Sequence, residues 1–131
     1  IILYEDTLNK GHFTAVLKYP PNTYEFFCSY GSKIDEPLNW TKKTKRIQLG
    51  EDKKYLTNLL NNANGKVIYN SVDYQSNKRD VSTCGRHAIF RILMNKKHNM
   101  NLTDYHKLML MLRKKTKLNY DEIVSDVINI V

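Results

Sequence analysis

Apolar and polar positions along the chain change period near residue 84. Ile1-Ile2-Leu3-Tyr4 predicts a short strand, and the aromatic and β-branched runs Phe13 to Tyr19 and Thr23 to Ser29 flank Pro20-Pro21-Asn22, the pattern of a hairpin with a tight turn. With the turn centred on Pro20 and Pro21, cross-strand partners have numbers summing to about 41, which sets His12 beside Cys28 and Ser29. A loop, Ser32 to Asn39, leads to Trp40 and the run Lys42, Lys43, Lys45, Arg46. Gly50 to Ala63, with leucines at 56, 59 and 60, predicts an amphipathic helix ended by Asn64-Gly65. Lys66 to Val72 alternates as a strand, and 73 to 83 is polar and loop-like.

From Cys84 to about Lys97 the apolar residues Ala88, Ile89, Phe90, Ile92, Leu93 and Met94 surround most of a helix circumference, the mark of a helix buried in the core. Leu102, Tyr105, Leu108, Met109 and Leu112 give the next helix. Asn119 with Glu122 three positions on is a capping box for a last one carrying Ile123, Val124, Val127 and Ile128. Strands first and helices last predict an α+β fold: a small, mostly antiparallel sheet against a central helix that starts at Cys84, with helices gathered at the C-terminal end.

At 131 residues the chain is one domain's worth, 1–131. No apolar run approaches a membrane span. The net charge of +8 is uneven: residues 1–65 hold nine basic and seven acidic side chains, residues 66–131 twelve and six. Such a surplus attracts polyanions, so nucleic acid is a candidate partner, while the lack of a long apolar run is why no membrane is expected. Asn, Lys, Ile and Tyr make up 49 of the residues, the usage that A/T-rich codons of a viral or protist genome produce. The first residue is Ile1 rather than Met, which reads as a piece of a longer protein without signal peptide or lipidation motif. Two cysteines are too few for a disulfide framework or a structural zinc site, so a reducing compartment is expected and each thiol is judged by its neighbours.

Cys84 stands in Ser82-Thr83-Cys84-Gly85 between a polar loop and the buried helix. Either hydroxyl can cap the helix, and Cys84 then falls in the first turn, where unpaired amides and the positive end of the helix dipole favour a thiolate. Gly85 leaves room for a substrate carbonyl. His12 opens the first hairpin strand, and Gln75 lies nine positions before Cys84. Taken singly, each has a bland reading: an inert thiol, an exposed strand-end imidazole, a solvated amide.

His12, then the hairpin, then Gln75, then Cys84-Gly85 opening a buried helix resembles the adenain-like and SUMO-protease-like cysteine peptidases of clan CE. Cys28-Ser29-Tyr30-Gly31 followed by Ser82-Thr83-Cys84-Gly85-Arg86-His87-Ala88 is similar to the maturation proteases of large DNA viruses, virophages and Maverick/Polinton elements. The resemblance implies a papain-like fold and an endopeptidase acting on capsid or core precursors in the virion or the cytoplasmic virus factory, not secreted. It implies Cys84 as nucleophile, His12 as general base and Gln75 as oxyanion-hole side chain, with Phe13 in the place of the aromatic that follows the histidine. Related enzymes put a carboxylate or Asn at the third-member position, and here it reads Cys28. Two alternatives stay open, a Cys-His dyad or a carboxylate arriving from elsewhere. A ubiquitin-like-modifier peptidase and an inactive basic binding module are the competing functions.

The resemblance implies no cofactor, with DNA as an activating polyanion. Candidate DNA contacts are Lys42, Lys43, Lys45, Arg46, Arg113, Lys114, Lys115 and Lys117, whose bland reading is a solvated face. His87 is expected to pack in the core, Arg86 and Arg91 to anchor carboxylates or carbonyls, and His98 and His106 show no metal spacing.

Overall fold

In the computed structural model, which describes residues 1–78 and 81–128, a ten-residue strand organises the sheet by changing partners midway. Strand β2 (Lys10–Tyr19) pairs antiparallel with β1 (Ile2–Thr7) over its first half and with β3 (Thr23–Phe27) over its second, and β4 (Lys66–Tyr69) adds parallel to β3. The order is β1-β2-β3-β4. A parallel neighbour needs a long crossover. Here it contains a short 3₁₀ helix (Glu36–Trp40), α1 (Lys43–Leu49) and α2 (Tyr55–Asn62). Helices α3 (Cys84–His98), α4 (Leu102–Thr116) and α5 (Tyr120–Val127) complete an α+β fold with a small mixed sheet.

Side-chain alternation along β2 separates two apolar clusters. Ala15 and Leu17 join Phe27 and the residues Ala88, Phe90, Tyr105, Met109 and Val124 of the three C-terminal helices. Val16 faces the other way, toward Tyr4, Phe26, Cys28 and Leu38. Arg91 pins α3 to β3 from inside the first cluster: its Nε and Nη2 donate to the two oxygens of Glu25 at 2.8 and 2.7 Å, both side chains fully buried. Its Nη1 donates to the Met100 carbonyl.

Several expectations change in detail. Ala15 faces Phe27 and Tyr19 faces Thr23, so partner numbers sum to 42, one more than expected, because the turn takes in Asn22 at positive φ. The helix expected over Gly50 to Ala63 is shorter, Tyr55–Asn62, and a separate helix precedes it. Gly50, at φ 75°, ends α1, and α2 begins only at Tyr55. The basic run from Lys42 is therefore largely helical, and the loop before it contains the 3₁₀ turn, both hidden by a lack of apolar periodicity. Strand β4 stops at Tyr69 rather than Val72, because the Asn70 side chain bonds Val72 locally. Of the loop expected at 73–83, residues 79 and 80 lie outside the described residues.

Candidate active site

Because β3 ends at Phe27, the stretch of β2 around His12 and Phe13 has β1 on one side and no strand on the other. Helix α3 packs there. Cys84 is its first residue, and the Phe13 amide donates to the Cys84 sulfur at 3.4 Å. Gly11 allows the close crossing of β1: a Cβ there would stand 1.9 Å from the Tyr4 carbonyl oxygen. At Gly85 a Cβ would meet only the Phe13 ring, at 3.7 Å, an ordinary contact.

The observed register places His12 and Cys28 on one face and turns Ser29 to the other. The ring Nε2 of His12 lies 3.2 Å from the Cys28 sulfur. Tyr30 stacks on the imidazole at 5.1 Å between centroids, and Trp40 meets it edge-on at 5.2 Å. Burial pushes the His12 pKa down to about 4 and pushes the Cys28 thiol up, so this is a contact between neutral groups at pH 7. Glu25 is committed to Arg91 and Tyr19. Asp35 accepts from Tyr4 at 2.9 Å and from the Thr57 amide and hydroxyl, each at 2.7 Å. Among the described residues no carboxylate bonds the His12 ring, and the ring's hydrogen bond goes to Cys28 and not to Cys84.

Ser29, on the opposite face, holds Gln75. Its carbonyl accepts from the Tyr74 and Gln75 amides at 2.7 and 3.1 Å, and its hydroxyl donates to Gln75 Oε1 at 2.6 Å. Fixing the amide oxygen leaves the NH2 end of this buried side chain without a partner among the described residues.

Asp121, in the first turn of α5, was not singled out by any sequence signal beyond the neighbouring capping box. Its Oδ1 accepts from the Thr83 hydroxyl at 2.5 Å and from His87 Nε2 at 3.0 Å, and its Oδ2 accepts from the Ser76 amide at 2.9 Å. Burial raises the carboxyl pKa, but the three donors outweigh it and hold the group below the ordinary range. His87 is fully buried, which depresses its own pKa against the pull of Asp121. It packs as the sequence suggested.

Over 125 residues the chain is 30% identical to the protein named Uncharacterized protein V9 of Sputnik virophage, an alignment covering 95% of this chain and 70% of that protein. The chain belongs to the family of that virophage protein. No protein-family model matches it, and no solved structure does.

In this virophage family member the basic candidates fall on two separate elements. Lys42, Lys43 and Lys45 are exposed at the start of α1, which packs against β1. Arg46 is half-buried, and its Nε has no hydrogen-bond partner among the described residues. Lys114, Lys115 and Lys117 are exposed at the end of α4, and Arg113 lies over the Tyr120 ring at 4.9 Å. Arg86 and Arg91 anchor carbonyl and carboxylate oxygens as expected. Among the described residues no helix is long and apolar enough to cross a membrane.

Proposed function

We propose that this chain is a cysteine endopeptidase with a papain-like, adenain-type arrangement that cuts capsid or core precursor proteins during virion maturation. The observation that carries the reading is the hydrogen bond from the Phe13 amide to the Cys84 sulfur, since it sets the first residue of a buried helix against the strand of His12. In this mechanism the Cys84 sulfur attacks the scissile carbonyl while His12 takes the thiol proton and later gives it to the leaving amine. The Cys84 amide and the NH2 of Gln75 stabilise the oxyanion. By the same resemblance the substrates are expected to carry small residues, above all Gly, around the cut bond, close to the exposed Phe13 and Trp40.

A second reading, a basic binding module that has lost catalysis, is favoured by one feature: the His12 ring meets a thiol where a carboxylate would orient it. A peptide carrying a thiol-reactive group decides between them. The peptidase reading expects selective labelling of Cys84 and cleavage of Gly-containing peptides, both abolished by Cys84→Ala and nearly so by His12→Ala. Turnover by Cys84→Ala above about a tenth of wild type overturns it.

A further inference from the structure

Around Cys84 the described residues include a carboxylate that touches neither Cys84 nor His12 yet binds the chain on both sides of the proposed oxyanion hole. Asp121 holds Ser76, the residue after Gln75, by its backbone amide; Thr83, the residue before Cys84, by its hydroxyl; and His87, one turn beyond Cys84, by its ring. Asp121 sits in the first turn of α5, next to a capping box of Asn119 and Glu122 whose side chains make none of its three bonds. At the far end of α5, Arg86 donates to the Ile128 carbonyl at 3.2 Å, so the same helix grips α3 a second time.

Thr83 adds a subtler consequence. It is the N-cap residue of α3, where a threonine hydroxyl ordinarily accepts from an amide of the first turn. Here that hydroxyl donates to Asp121 and makes no capping bond. The amides of Gly85 and Arg86, which such a cap would claim, are left unclaimed by the Thr83 side chain, beside the Cys84 amide of the proposed oxyanion hole. Asp121 thus ties the Gln75 loop to the Cys84 turn and draws the Thr83 hydroxyl away from the amides it would otherwise cap.

We infer that Asp121 is a positioning residue, whose carboxylate sets the Cys84 turn and the Gln75 loop in register with each other. The inference rests on the peptidase reading for its catalytic meaning, but not for the geometry. Loss of the tether misplaces donors that stabilise the transition state more than the bound substrate, so kcat falls and KM holds.

The test compares Asp121→Ala with Glu122→Ala, which breaks the capping box of the same helix without touching the Asp121 acceptors. On a Gly-containing peptide, Asp121→Ala is expected to lower kcat at least about tenfold at unchanged KM, while Glu122→Ala lowers thermal stability and leaves kcat within about twofold. Should Asp121→Ala fail to fold, Thr83→Val deletes one bond of the three and is expected to lower kcat about threefold. Equal kcat losses in the Asp121 and Glu122 variants, or wild-type kcat in a folded Asp121 variant, overturn the role. Chloroacetamide labelling of Cys84 at pH 7 separates this from a failure of the peptidase reading. If the wild type cuts no peptide but labels at least about threefold faster than Asp121→Ala, the peptidase reading falls and the positioning role stands. Equal labelling rates in that case sink both.

Discussion

His12 Nε2 and Cys28 Sγ stand 3.2 Å apart, joining two side chains that are both neutral at pH 7. A carboxylate in that place could only accept, and would fix the proton on Nε2 and steady an imidazolium. A thiol can donate or accept, so it holds neither tautomer firmly.

Cys28→Asp is therefore expected to keep the fold and to raise peptide turnover at pH 7 about threefold or more. Steady-state rates over pH 4 to 9 for both forms check this, and an unchanged or lower rate means that position 28 does not orient the base.

Acid should weaken the protein through its histidines. Burial holds His12, at about 4, and also His87 and His106 below the ordinary histidine value of about 6.5. In that window the unfolded chain binds more protons than the folded one, so stability rises with pH. The contribution is full above about 6.5 and is lost as pH falls, for His12 down through about 4. Urea unfolding at pH 7 and 5 is expected to show a lower free energy at pH 5 and a shallower dependence in His12→Gln. The opposite sign would contradict the buried neutral ring.

The hairpin, the buried helix at Cys84 and the capping box of α5 were legible because each rests on a local pattern. The partner of His12 was legible only to within one residue, since a slip of one position exchanges Cys28 for Ser29 and moves the contact to the other face. Helix α1 was not legible, because lysines at 42, 43 and 45 mask the periodicity that would reveal it. Asp121 escaped for a different reason: its three partners come from other segments, 34 to 45 positions away, and no local pattern encodes them.

Arg91 and Glu25 set the stability of the joint between α3 and the sheet. Arg91→Met leaves Glu25 buried without its cation and is expected to cost about 3–5 kcal/mol in chemical denaturation. Adding Glu25→Leu should restore a large part of that loss, whereas additive losses in the double variant would show that the ion pair is not the unit that matters.

If DNA binds, affinity should fall as salt rises through release of counterions. Replacing Lys42, Lys43 and Lys45 by Ala, and separately Lys114, Lys115 and Lys117, is expected to flatten the salt slope in proportion to the number of phosphates each lysine set neutralises. Binding titrations at low and moderate salt measure it, and a slope that neither triple variant alters removes these residues from the interface.

The donor that the Cys84 sulfur depends on lies 71 positions earlier in the chain. Contacts of such separation form late, after the loops between them have closed. Strand β2 precedes α3 in the chain, so a chain still emerging from the ribosome lacks this contact. Under the proposed peptidase reading, Cys84 takes its place beside the strand of His12 only once α3 is made and docked, so activity is expected to be latent in a partly made chain.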